Sequence, residues 1–313
     1  MKEKPGRIRR RLGYFFLLVV LACPALYFYF TLYHPVGKGP AGPAVPREAF
    51  AQAWTNQRVL LLGLGDSVTA GFGSTKGHSY FERLIESPPD EFQDMQGKTL
   101  KRIFPHLDFL DLAVSGSDSS QHLDRIESDL PVQAADVFGI VVMTTSGNDL
   151  IHWYGRSKPA ENAMYGATWE EAQPWIQNFE TRFNKMISEI VSRFPGGCLI
   201  LLGDIYDPSD GRGDPESAWL PAWPDALKIH GAYNAVIRRV GERYPEVHVV
   251  PIHEAFLGHG VHCRKFWLET YRKKDPHYWY ADNLEDPNDR GYDAIRRLML
   301  RALLEARDQV PKS

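Results

Sequence analysis

The 313-residue sequence is poor in cysteine, holding only Cys23, Cys198 and Cys263. That count excludes a disulfide-dense scaffold, and no spacing among the three suggests a zinc site. One bridge between Cys198 and Cys263 stays open in an oxidising compartment. Cys198 also opens an apolar run, which suits a buried free thiol equally well. The chain lacks any excess of basic charge, with 36 Lys and Arg against 39 Asp and Glu and a net charge of -3, so no electropositive field points to nucleic acid. No internal repeat is visible, which excludes a solenoid. Residues are 43% hydrophobic and 24% charged, enough for a substantial core in one large domain or two small ones.

The N-terminus is rich where the rest is even. Lys2, Lys4, Arg7, Arg9, Arg10 and Arg11 make residues 1–11 a basic segment, and residues 12–33 follow without a charge. As a helix that run is ~33 Å long, sufficient for a hydrocarbon core of ~30 Å. The basic cluster should stay cytoplasmic, leaving everything beyond residue 33 on the periplasmic or extracellular side. A cleaved signal peptide is the alternative. Against it, the run outlasts a usual h-region and no small-x-small site closes it. Val20-Leu21-Ala22-Cys23 loosely resembles a lipoprotein cleavage box, but apolar sequence continues for ten residues beyond Cys23. A signal anchor over 12–33 is the expectation.

Residues 34–47 are the next break, with seven Gly or Pro among the thirteen positions 34–46. Such a stretch forms neither helix nor sheet and reads as a flexible spacer off the membrane. A single domain over 48–313 follows. Near-continuous apolar runs at 58–64, 107–113, 137–144, 198–204 and 247–252 read as strands covered on both faces. Helical patterns lie at 79–86, 120–130, 169–194, 225–243 and 291–307. This alternation predicts a three-layer α/β/α sandwich around a mostly parallel five-stranded sheet. Ligands of such sheets bind at the carboxyl ends of strands, so the chemistry is expected just after each run.

Three of those positions carry suggestive residues. The first run ends Gly65-Asp66-Ser67-Val68-Thr69, which lifts a serine onto a strand-to-helix turn with its amide free to act on an oxyanion. It is not the Gly-x-Ser-x-Gly elbow of α/β-hydrolases. The second ends Asp111-Leu112-Ala113-Val114-Ser115-Gly116-Ser117, where glycine lets backbone approach a ligand closely. The third ends Thr145-Ser146-Gly147-Asn148-Asp149, where an Asn side chain can donate. Taken alone, each is a turn or a helix cap; three donors at three strand ends meet the requirement of an oxyanion hole.

In this order the blocks resemble the SGNH/GDSL hydrolase family, over roughly residues 58–304. The resemblance implies a flavodoxin-like sheet, a serine nucleophile at Ser67, and oxyanion donors at Ser67, Gly116 and Asn148, with neither metal nor cofactor. Ser146 stands where the family usually has a glycine, a change expected to affect a turn rather than the donor.

The proton-transfer half departs from the pattern. The family closes with Asp-x-x-His directly before Pro-Asn-x-x-Gly-Tyr. Here Pro287-Asn288-Asp289-Arg290-Gly291-Tyr292 is present, yet Asp286 precedes it and Asn283 lies three residues earlier. In one reading His259-Gly260-Val261-His262 stands in, with His262 as base and Asp286 or Asp275 orienting it. Another histidine, His259, His253 or His277, could serve instead. In the last, no histidine takes part and Asp286 itself acts, although an unperturbed carboxylate is poorly matched to a serine hydroxyl; Asp66 and Asp286 are the candidate supporting acids of the site.

The expectation is therefore a membrane-anchored serine esterase acting on an acyl-glycan or lipid-like ester. The alternative is a ligand-binding protein that kept the cradle and lost turnover. Aromatics at Trp153, Tyr154, Trp219, Trp223, Phe266, Trp267, Tyr278, Trp279 and Tyr280 suit either a cleft lining or local packing of long loops. Asp204, Asp207, Asp210 and Asp214 miss the EF-hand spacing and read as turns and caps.

Overall fold

The computed structural model describes residues 5–312. Lys2 and Lys4 of the basic segment 1–11 lie outside the described residues. Helix α1 (Pro5–Tyr27) runs on through a wider turn at Phe28–Leu32. Its stretch Arg10–Leu32 contains an 18-residue window of mean hydropathy 2.2 that is not buried inside the protein, so it is long and apolar enough to be a membrane anchor or a signal sequence.

Residues 34–47 contain no helix or strand, as their Gly and Pro content dictates. They are nevertheless not the free spacer expected from composition. The Arg290 guanidinium donates to the carbonyls of Val36 at 3.0 Å, Gly39 at 3.1 Å and Pro40 at 3.2 Å. Ala41 N–H donates to Asp293 at 3.0 Å and Lys98 donates to the Val45 carbonyl at 2.5 Å. Ala41 and Val45 are buried. Carbonyls that cannot enter a ladder thus find side-chain donors, and the segment is laid down on the domain.

Five strands follow: β1 (Arg58–Gly65), β2 (Leu107–Asp111), β3 (Val137–Thr144), β4 (Cys198–Gly203) and β5 (Val247–Val250). Helices between β1 and β2 are α2 (Ser67–Ala70), α3 (Tyr80–Ile85) and α4 (Leu100–Ile103). After them come α5 (Ser119–Asp129), α6 (Gly147–Ile151), α7 (Trp169–Ser192), α8 (Ala226–Gly241), α9 (Ile252–Phe256) and α10 (Asp289–Glu305).

All four strand pairings are parallel, in the order β2-β1-β3-β4-β5. The order reverses at β1, so the crevice between the carboxyl ends of β1 and β3 is the topological switch point where such sheets bind ligands. Alternate strand residues feed two cores. Leu61, Ile140, Val142 and Leu201 pack beneath α3 and α10, while Leu62, Val141, Met143 and Leu202 pack beneath α5, α7 and α8. Each such side chain contributes about 1.5–3 kcal/mol by leaving water, which makes the sheet a rigid base for the loops above it. β2 differs from the expected doubly covered strand: it is an edge, half exposed, with Phe109 57% exposed. Asp108 and Asp111 on it discourage pairing with another chain. Cys198 and Cys263 are buried free thiols rather than a bridge.

Candidate active site

β1 must end close against β3 for the switch-point crevice to form. Gly65 has φ +123°, and a Cβ there would fall 1.8 Å from the Thr144 carbonyl oxygen, so only glycine fits. The chain then turns directly into α2. Asp66 caps that helix, its Oδ1 accepting from Val68 N–H at 3.1 Å and from Thr144 Oγ1 at 2.8 Å. Ser67 is thereby set at the first helical position, where the backbone N–H has no intrahelical acceptor.

Gly116 lies in the loop after β2 with φ +82°, a left-handed conformation that glycine adopts without strain. The next residue ties this loop to the end of β3: Ser117 Oγ and His122 Nε2 are 2.7 Å apart, and His122 Nδ1 and Thr145 Oγ1 are also 2.7 Å apart. Burial pulls the His122 pKa down to about 3, so its ring is a neutral bridge. Asn148, buried at the start of α6, donates Nδ2 to the Ser117 carbonyl at 2.9 Å, which leaves its second amide hydrogen to point elsewhere. Ser146 takes φ +73°, which explains why glycine is the usual residue at that place. Asp149 completes the stitching by accepting from Ser119 N–H at 2.8 Å and Ser119 Oγ at 2.5 Å.

The residue facing the serine comes from the loop before α10. Asp286 is buried, and burial raises its pKa, while the nearby Ser67 hydroxyl and the Asn283 amide oppose that rise. Asn283 Nδ2 donates to Asp286 Oδ2 at 2.6 Å, and Asn283 Oδ1 accepts from Asp286 N–H at 3.2 Å. Asp286 Oδ1 is buried without a well-formed hydrogen bond of its own. The Ser67 hydroxyl is among the neighbours that act on this carboxyl. Burial also lifts Asp66 to about 6 and Glu285 to about 7, and Asp286 adds to both rises, so three carboxyls converge here.

The histidines weighed as bases from the sequence sit elsewhere, while His230 lines the cavity that holds Ser67. His262 Nε2 is held by Asp214 at 2.8 and 3.0 Å, and its backbone N–H donates to Asp210; no hydrogen bond joins it to Ser67, Asp286 or Asp275. His259 stacks on Trp279 with ring centroids 3.4 Å apart and bonds to the His277 carbonyl. His277 pairs with Asp275 at 2.5 Å, and His253 faces His230. Asp204 and Asp214 do line the cavity beside Ser67.

That cavity holds about 160 Å³ and is lined by Ser67, Asp66 and Asn148 together with Tyr154, Tyr165, Leu220, Trp223 and Leu227. Of the loop aromatics, Tyr154 and Trp223 thus line the cleft, Trp153 and Trp219 are exposed, and Tyr278, Trp279 and Tyr280 are buried in the core. Among the described residues, no group of three or more His, Cys, Asp or Glu is placed to hold a metal ion. Sequence reasoning missed His122 and Glu285. Glu285 adjoins Asp286 and could have been noted; nothing local marks His122 as a bridge between two loops.

The family model for the GDSL-like lipase/acylhydrolase family matches residues 64–294. The uncharacterized protein YpmR of Bacillus subtilis (strain 168) is 28% identical over 136 residues, covering 44% of this chain and 47% of that protein. The chain thus spans about half the length of the curated relative it matches. Among solved structures, a mutant of Axe2, an acetyl-xylooligosaccharide esterase from Geobacillus, aligns at 15% identity with a TM-score of 0.50, over 80% of this chain and 95% of that one. The lipase Lip_vut3 from a goat rumen metagenome aligns at 16% identity with a TM-score of 0.48, over 78% and 97% of the two chains. The likeness to the esterase is one of fold.

Proposed function

The chain belongs to the GDSL-like lipase/acylhydrolase family, and on that premise we propose that this ester hydrolase works through an acyl-enzyme on Ser67 with Asp286, not a histidine, as the proton acceptor. The observation that carries this reading is the meeting of Ser67 with a buried, amide-tethered Asp286.

The exchange of residue types is chemically coherent. An imidazole base carries an N–H that an acid must accept, so the family pairs histidine with aspartate. A carboxylate base carries no hydrogen and is best held by a donor, which Asn283 supplies. Desolvation raises Asp286 from the ordinary carboxylate range toward a pKa better suited to taking a proton near neutrality.

The steps balance without a cofactor. Ser67 Oγ bonds to the ester carbonyl carbon as its proton passes to Asp286. The carbonyl oxygen becomes an oxyanion, stabilised by the N–H groups of Ser67 and Gly116 and the free amide hydrogen of Asn148. The bond to the alcohol breaks as Asp286 returns the proton to the leaving oxygen. Water then repeats the sequence, releasing a carboxylic acid and restoring Ser67. The apolar walls around Tyr165, Leu220 and Trp223 favour an acyl chain in the cavity, hence a lipid-like ester or an acyl-glycan carrying such a chain.

Among the described residues no hydrogen bond joins Ser67 to a histidine, which favours one other reading, a ligand-binding protein on the same cradle. Labelling with a fluorophosphonate probe decides. Covalent capture at Ser67 supports the hydrolase, and no capture together with no hydrolysis of aryl esters supports the binding protein.

A further inference from the structure

Two large rings stand in water beside the exit of the N-terminal helix. Phe266 is 63% exposed and Trp267 56% exposed, although they pack on each other at 5.1 Å between centroids. Their contact with the rest of the molecule includes the helix itself: Phe30 lies 5.0 Å from Trp267 and 5.9 Å from Phe266. The Arg264 guanidinium lies 4.1 Å above the Tyr29 ring. Just beyond the helix, His34 Nε2 hydrogen-bonds the Val261 carbonyl at 3.1 Å, and Val261 lines the Ser67 cavity. One short loop therefore joins the helix exit to the cavity wall.

We propose that residues 264–268, together with Phe30, seat the domain in the interfacial layer of a lipid bilayer and hold the Ser67 cavity at the lipid surface. The occupant follows from continuity. Phe30 belongs to the apolar stretch Arg10–Leu32, so whatever covers that stretch also reaches Phe266 and Trp267. Aromatic rings concentrate at the boundary between hydrocarbon and water, where an apolar body and a wet edge are both accommodated. The Arg264 guanidinium, held over the Tyr29 ring, sets a cationic head at the same level. This inference rests on reading the helix as a bilayer anchor and is independent of the hydrolase chemistry.

Depth-dependent quenching tests it on the full-length chain. In a Cys23→Ser background, which removes the exposed native thiol, Phe266→Cys carrying an environment-sensitive NBD label is reconstituted into phosphatidylcholine vesicles, with Trp267→Cys prepared separately in case one variant misfolds. Val132→Cys, 65% exposed between α5 and β3 at the opposite end of the sheet, is the aqueous reference. The expected result is blue-shifted emission at 266 and 267, quenched by lipids bearing a nitroxide near the headgroup, and water-like unquenched emission at 132. If the chain floats with the vesicles while 266 and 267 both emit as in water, the seat is overturned and the anchor stands. If the chain does not float, the anchor reading falls and the seat falls with it.

Discussion

Asn283 donates its side-chain amide to Asp286 Oδ2 at 2.6 Å, which leaves Oδ1 as the carboxyl oxygen without a partner of its own. The acid is thus held from one side and open on the other, with Ser67 among its neighbours. Several measurable consequences follow from that arrangement and from the frame around it.

Replacing the base should separate the carboxylate from every histidine. Asp286→Asn is expected to lower kcat on a short-chain aryl ester by about 10²–10⁴-fold, while Asp286→His, which restores an imidazole at the same place, retains measurable turnover. His262→Ala, which breaks only the pair with Asp214, should stay close to the unaltered protein. Steady-state kinetics check this; a His262→Ala loss as deep as that of Asp286→Asn returns the proton transfer to His262.

Ser67→Ala should abolish both fluorophosphonate labelling and ester hydrolysis with an unchanged melting temperature. The helix cap belongs to Asp66, not Ser67, so the fold has no need of the hydroxyl. Labelling that persists in the variant would move the nucleophile elsewhere.

The pH profile has a definite sign. Asp286 must be ionised to accept a proton, and burial raises its pKa, so activity rises with pH through a limb above the ordinary carboxylate value of about 3.9. Glu285 is itself lifted to about 7 by burial and by the charges of Asp286 and Asp66, so it is still protonated while Asp286 ionises and does not repel it there. Glu285→Gln should therefore leave the acid limb of kcat/KM in place. A limb that moves to lower pH would mean that a charged Glu285 faces Asp286 instead.

Asn148→Ala removes one oxyanion donor and should cost about 10²–10³ in kcat, or roughly 2.7–4 kcal/mol, with little change in KM. A matching rise in KM would mean instead that Asn148 binds the substrate before reaction.

Stability turns on a buried charge cluster away from the site. Glu91 accepts from Arg83 at 2.6 Å and from Arg296, and all three are buried. Glu91→Ala strands two guanidinium groups and should cost about 3–5 kcal/mol, read as a lowered melting temperature.

Much of this frame was legible in advance. Parallel strands covered on both faces announce themselves as apolar runs, and Ser67 and Asn148 each close one, so topology brings them to a single cavity. The limits are equally physical. His259-Gly260-Val261-His262 imitates a base motif, but Asp214, 48 residues upstream, takes the His262 Nε2, and only tertiary closure creates that pair. Composition told that residues 34–47 form no regular element; it could not tell that Arg290 would satisfy their carbonyls. β2 read as a covered strand because hydropathy does not say which strand lies at an edge.

The Arg290 clamp also makes the molecule a mechanical linkage. Arg290 sits in the first turn of α10, four residues after Asp286 and two after Asn288, whose Oδ1 caps that helix. A pull on residues 36–40 is therefore delivered, through one rigid side chain, to the hinge from which the carboxyl reaches the serine. Where a slack tether would absorb such a force, this one passes it to the start of α10 and the loop that carries Asp286.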